Sequence, residues 1–237
     1  MMTKDRSLTE ATGTTAEVAQ FLDQVAKTPA PLDTGGRGRL LFAMDATASR
    51  QPSWDTACQV QGQMFIEADR IGGLDVQLAY YRGFAECKTS PWVSRPADLV
   101  RLMSSVQCMA GHTQVARILK HAIKETGRKP VSALVFVGDC FEEDVDRVGH
   151  LAGELGMLGV RAFLFHEGKD GKAERAFRQI AKLTSGAYCP LDANSPQQLR
   201  ELLGAVAAYS AGGRKALTAL AGRNRAVGLI ESQLQRP

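Results

Sequence analysis

The chain has 237 residues, of which 44% are hydrophobic and 23% charged, and a net charge of +4. That length and balance fit one substantial packed domain with flanking segments, and no apolar run approaches the roughly 20 residues of a membrane-spanning helix. The polar start MMTKDRSLTEATGTT has no secretory apolar stretch, and the five scattered cysteines form no CxxC pair, so reduced thiols and a cytoplasmic location are expected.

In chain order, residues 15–27 place Val18, Phe21, Leu22 and Val25 at helical spacing, which predicts an amphipathic helix. TPAPLDTGGRG then reads as a linker, because proline and glycine interrupt a regular ladder. Strand one is expected at about 39–45 and a helix at about 54–71, ended by the glycines of IGG. LDVQLAYYRG alternates apolar and polar residues as a second strand. AECKTSPWV reads as a short edge strand broken by Pro91. A helix over 96–106 starts on Pro96, where a missing N–H costs nothing.

MAGHTQVARILKHAIKET reads as a loop entering a helix at about Thr113. VSALVFVGD is nearly unbroken in its apolarity, as a parallel strand covered on both faces would be. A helix near 142–157, the strand VRAFLFHEG, a helix near 172–184, the strand GAYCP and a helix near 196–210 complete the pattern. Strands alternating with helices predict a three-layer α/β domain with a mostly parallel central sheet flanked by helices. The expected organisation is an N-terminal helix and linker (1–37), the α/β domain (38–210) and a basic tail (211–237).

Arg214, Lys215, Arg223, Arg225 and Arg236 stand against Glu231 in that tail, so the rest of the chain is neutral. A neutral body argues against nucleic acid as the main partner. The tail is expected to pack outside the central sheet.

Ligand crevices of open α/β sheets lie beyond the carboxyl ends of the strands, where strand order reverses. Asp45 and Asp139 each stand at such an end, with Thr47 and Ser49 following Asp45 at i+2 and i+4. Thr113 stands at the mouth of a helix. Two carboxylates and three hydroxyls are hard oxygen donors, suited to Mg²⁺, Mn²⁺ or Ca²⁺ and poorly to zinc. A loop curling off the strand end brings alternate donors onto one cation, and two carboxylates balance a divalent charge.

In this arrangement the sequence resembles the von Willebrand factor type A (VWA) domains. Their metal-ion-dependent adhesion site (MIDAS) is written D-x-S-x-S, then a distant threonine, then a distant aspartate. DATAS supplies Asp45, Thr47 and Ser49, GHTQVARIL supplies Thr113 and VFVGD supplies Asp139. Thr47 replaces the family's usual serine and keeps the hydroxyl, and Asp139 sits in VGDC where many members have a threonine before and a glycine after it.

The resemblance covers about residues 38–210 and implies a Rossmann-like fold. It also implies a cation bound directly by Thr47, Ser49 and Thr113 and through water by Asp45 and Asp139. A partner protein's aspartate or glutamate would complete the coordination. Intracellular prokaryotic members often work beside AAA+ ATPases or in larger assemblies, and the resemblance extends that expectation to this chain.

Other readings of these residues are plainer. Aspartates at strand ends serve as turn and cap residues. Glu142, Glu143 and Asp144 are expected to be the N-terminal charge of their own helix. His112 reads as incidental and Cys140 as packing, while Cys87, Cys108 and His112 match no zinc spacing.

An aspartate after the first strand also resembles haloacid-dehalogenase-like phosphatases, which would make Asp45 the nucleophile of a Mg²⁺-dependent enzyme. Those enzymes carry a second aspartate two positions on, where this chain has Thr47. No G-x-S-x-G elbow and no phosphate-binding G-x-x-x-x-G-K-[ST] loop occurs. A binding module, and no enzyme, is therefore the expectation.

Overall fold

The computed structural model describes residues 18–25, 27, 36–69, 72–191 and 196–234, with side chains described only in part beyond residue 213. The expected helix start at 15–17, most of the linker and most tail side chains lie outside the described residues. Six strands form one sheet in the order β3-β2-β1-β4-β5-β6. They are β1 (Gly38–Asp45), β2 (Leu74–Arg82), β3 (Glu86–Val93), β4 (Ala133–Gly138), β5 (Arg161–Glu167) and β6 (Ala187–Leu191). Every neighbouring pair is parallel except the edge pair β2–β3. The expected three-layer α/β architecture is the one observed.

Alternation along the strands builds two cores. Leu40, Phe42 and Met44 of β1 face one side with Val135 and Val137 of β4; Leu41 and Ala43 face the other with Leu134 and Phe136. The first face is covered by α1 (residues 18–25), α2 (Gln51–Val60), α3 (Gly62–Asp69), α4 (Pro96–Ser104) and α8 (Pro196–Leu234). The second is covered by α5 (Val115–Arg128), α6 (Val145–Met157) and α7 (Gly171–Leu183). Phe21 of α1 meets the rings of Phe163 and Phe165 edge-on, at 6.3 and 5.4 Å between centroids.

Two elements differ from the sequence expectation. The helix expected at 54–71 starts earlier, at Gln51, and is interrupted between Val60 and Gly62. The main-chain amide of Met64 bonds back to Gln61 there, and the poor helix former Gly62 follows the break. Pro91 does not break β3. It sits beside a shift in register opposite Leu78, where the Ser90 hydroxyl accepts the Leu78 amide at 3.0 Å in place of a ladder carbonyl. The helix expected at 196–210 is interrupted close to its expected end, at Gly213 (φ 64°, ψ −157°, a backbone that glycine tolerates), and a second helical stretch continues beyond this kink to Leu234.

Among the described residues no helix is long and apolar enough to cross a membrane.

Candidate metal site

The strand order reverses between β1 and β4, parallel neighbours whose onward connections lead to opposite halves of the sheet, so their carboxyl ends flank the crevice. Asp45 ends β1 and Asp139 follows β4 directly. After Asp45 the chain makes a single 3-10 turn, Ala48–Arg50, closed by the Arg50 amide on the Thr47 carbonyl at 2.9 Å. That turn lifts Thr47 and Ser49 to the rim before α2 begins. Asp45, Thr47, Ser49, Thr113 and Asp139 all line one cleft of about 290 Å³, with Ala48, Ala110, Gly111, Cys140 and Glu142. Every residue singled out in the sequence as a cation donor is thus brought to one place.

Asp45 is 1% exposed. Its Oδ1 accepts the Thr47 amide at 2.7 Å and its Oδ2 accepts the Tyr81 hydroxyl at 3.1 Å. Burial raises its pKa above the ordinary carboxylate value, the Thr47 hydrogen bonds oppose this, and the Asp139 charge raises it further. Tyr81, fully buried beside this carboxylate, is pushed well up in turn. The Ser49 hydroxyl donates to Asp139 Oδ2 at 3.2 Å, linking the two strand ends.

Thr113 is held from both sides. Its hydroxyl accepts the Glu142 amide at 2.9 Å while its own amide donates to Glu142 Oε2 at 3.1 Å. A hydroxyl oxygen with one such bond retains a lone pair for a cation. The loop that carries Thr113 is pinned by the Met109 amide on the Ala46 carbonyl (2.9 Å) and the His112 amide on the Gly83 carbonyl (3.2 Å). Gly111 is required there, since a Cβ would lie 2.0 Å from the Gly83 carbonyl oxygen.

The acidic run after Asp139 does not act as its sequence position suggested. Asp144 alone caps its own helix, accepting the Arg147 amide at 2.7 Å. Glu143 reaches across to the start of α5, accepting the amides of Val115 and of Ala116 (3.0 Å). Both glutamates therefore serve a neighbouring helix N-terminus and the loop before it, where carboxylates satisfy free amides. His112 is not incidental either: its Nδ1 lies 3.2 Å from Glu142 Oε2. Cys140 is half-buried on the cleft wall and not core packing.

The sequence reading missed a buried ion pair below the rim. Arg50, 2% exposed, pairs with Glu167 at the end of β5, and its Nη1 lies 3.8 Å from Asp139 Oδ2. The Ser53 hydroxyl lies 2.6 Å from both Glu167 oxygens, its one proton shared between them. No local spacing links these residues. An arginine directly after D-x-T-x-S, with an acidic residue closing the apolar strand VRAFLFHE, is the one signal that could have suggested it.

The donor set fits a hard divalent cation. Two carboxylates whose charges disfavour one another share a cleft with three hydroxyls, all of them oxygen ligands. Among the described residues no three of His, Cys, Asp and Glu cluster as metal ligands.

No family model matches the chain, and no curated protein matches it. Solved structures do. A von Willebrand factor type A protein from Catenulispora acidiphila is similar over 75% of this chain and 43% of its own length, at TM-score 0.62 and 14% identity. The chain thus spans less than half of that protein.

The SpRpn10 VWA domain is similar over 70% of this chain and 94% of its own length, at TM-score 0.53 and 14% identity. Proximal thread matrix protein 1 from the mussel byssus, with a zinc-occupied MIDAS motif, is similar over 73% and 48%, at TM-score 0.53 and 15% identity. At these identities the likeness is one of fold: the chain has a VWA fold.

Proposed function

We propose that this chain is a metal-dependent protein-binding module in which the cleft holds a divalent cation and the cation receives an aspartate or glutamate from a partner protein. The observation that carries this reading is the convergence of Asp45, Thr47, Ser49, Thr113 and Asp139 on one cleft at the switch point of a VWA fold. The hydroxyls would ligate the ion, with the two carboxylates balancing its charge from close by. A bound Mg²⁺, Mn²⁺ or Ca²⁺ would supply an electrophilic centre for a carboxylate and would repel a cationic side chain. The partner is proposed to be a protein, with AAA+ ATPases and larger assemblies the expected setting and the cytoplasm the expected compartment.

Binding is favoured over phosphoryl transfer by what surrounds Asp45. The residue two positions on, Thr47, offers its amide to Asp45 and supplies no acid. Both Asp45 oxygens also accept hydrogen bonds, from Thr47 and Tyr81, which lowers their nucleophilicity.

The test uses the cation itself. Calorimetric titration of the full chain with MgCl₂, MnCl₂, CaCl₂ and ZnCl₂ should show one site that disappears in Asp45→Ala and in Asp139→Ala. Affinity capture in Mg²⁺ and in chelator then identifies the partner, whose exposed acidic residues are substituted singly. Absence of cation binding in the wild-type chain overturns the proposal.

A further inference from the structure

The rim of the cleft continues into an exposed apolar ledge. Phe84, at the tip of the β2–β3 turn, is 76% exposed, and Met109, in the loop before α5, is 48% exposed. They are neighbours by construction: the Gly83 amide donates to the Met109 carbonyl at 3.4 Å, and the Met109 methyl lies over Gly83. The Phe84 ring meets His112 edge-on at 5.2 Å. Ala110 and Gly111, which follow Met109, line the cation cleft, so ledge and cleft are one surface.

This ledge is rigid. The Met109 amide is bonded to Ala46, the Cys108 amide to the Gln51 side chain at 3.3 Å, and the Arg82 guanidinium to the Gln107 carbonyl at 2.7 Å. A loop backbone held by these contacts loses little further freedom when the ledge is covered. Phenylalanine and methionine are also enriched at the buried centres of protein interfaces.

The charge around the cleft narrows the occupant further. Glu142, half-exposed and held at its Oε2 by the Thr113 amide and His112, lines the cleft with Asp45 and Asp139. With a divalent cation in place these three carboxylates leave the rim net negative, so one incoming carboxylate is held by the ion and any further ones are repelled. An acidic tract is therefore the wrong ligand.

Resting on the metal-dependent binding proposed above, we infer that Phe84 and Met109 form a second contact point. The occupant is a partner segment carrying a single Asp or Glu with a large apolar side chain within two positions of it. In an extended segment, side chains two positions apart lie on one face about 7 Å apart, so one strand can present both a carboxylate and an apolar side chain to the same surface.

The test is an array of synthetic nine-residue peptides with a central Asp or Glu and each flanking position varied through all residues. It is probed with the full chain in Mg²⁺ and in chelator. Mg²⁺-dependent capture should be strongest with Leu, Met, Phe or Trp flanking the carboxylate. The doubly substituted chain Phe84→Ser, Met109→Ser should bind those peptides roughly tenfold more weakly, as loss of apolar burial predicts, and glycine-flanked peptides as before. Both positions are exposed, so its melting temperature should match wild type.

An apolar preference that survives the double substitution, or stronger capture of acidic tracts, overturns the ledge while leaving the cation reading intact. Capture that ignores Mg²⁺ and Asp45→Ala, or no capture, defeats both. A concentration-dependent dimer in sedimentation that the double substitution abolishes would assign the ledge to a second copy instead.

Discussion

The Ser49 hydroxyl donates to Asp139 Oδ2 at 3.2 Å, across ninety positions of sequence, and so ties the turn after β1 to the end of β4. The two halves of the cleft are already drawn together by a contact between two candidate cation donors. On the proposed reading, a cation entering there would exchange this hydrogen bond for the Ser49 oxygen as a ligand, with the Asp139 charge close by.

Asp45 gives the first prediction. Its raised pKa means the native state holds a proton more readily than the unfolded chain does. Its contribution to stability therefore falls as pH rises through the window above 3.8, and ionised Asp45 burdens the native state at neutral pH. In chelator, Asp45→Asn should melt at or above wild type. In Mg²⁺ at a hundredfold its Kd, wild type should gain about 2.7 kcal/mol, or roughly 5–10 °C at this size, and Asp45→Asn nothing. Identical wild-type melting in Mg²⁺, Mn²⁺, Ca²⁺ and chelator would remove the metal from the picture.

Thr113 should reveal a structural duty as well as a ligand's. Thr113→Ala leaves the Glu142 amide without its 2.9 Å acceptor, a loss of about 1 kcal/mol. Its melting temperature in chelator should fall by a few degrees, with the Mg²⁺ response weakened in addition. Thr113→Ser should restore both. A serine variant that behaves like alanine would show that the methyl group matters and not the hydroxyl.

The buried pair below the rim calls for a double-mutant cycle. Arg50→Met leaves the Glu167 carboxylate, 6% exposed, with Ser53 as its hydrogen-bond donor, and removing one partner of a buried pair costs about 3–5 kcal/mol. Arg50→Met combined with Glu167→Gln should recover much of that loss in urea denaturation. Additive losses would mean the two side chains act independently.

Two histidines set the expected pH dependence. Burial lowers the pKa of His121, whose Nε2 lies 2.8 Å from Gln77 Oε1, and likewise that of His166. Below the ordinary value of 6.5 the unfolded chain takes up protons that the native state refuses, so stability falls as pH drops. Urea midpoints should be flat from pH 8 to 7 and decline toward pH 5.5. His121→Gln should flatten part of that decline; an unchanged slope would put its cause elsewhere.

Hydrolysis of p-nitrophenyl phosphate should be absent in every divalent cation. Sustained turnover that vanishes in Asp45→Asn would turn the module into a phosphatase and displace the binding proposal.

Much of the arrangement was legible in the sequence because its signals are local. An apolar strand ending on Asp45, with hydroxyls at alternate positions, announces a strand-end loop with donors on one side. The unbroken run before Asp139 announces a central parallel strand. Arg50 and Glu167 were hidden because an ion pair between distant segments leaves no periodicity in either.

Glu142 and Glu143 were misassigned for a related reason. Helix-dipole reasoning sees only the helix that follows, whereas the sheet order sets β4 beside β1 and puts the start of α5 within reach. The early start and interruption of the α2–α3 segment turned on single residues, and the Pro91 bulge on the Ser90 hydroxyl, a side-chain substitute for a ladder bond that spacing cannot reveal.

The reciprocal bonds between Thr113 and Glu142, with Glu143 on the first amides of α5, couple the loop after Asp139 to that helix. α5 runs fourteen residues, roughly 21 Å at 1.5 Å per residue, to a far end where Glu125 meets Arg128 and the buried Arg39. Mechanically, rim and base are the two ends of one strut. The loop after Asp139 thus holds one end of a helix whose other end is anchored at the entry of β1, the very strand that delivers Asp45.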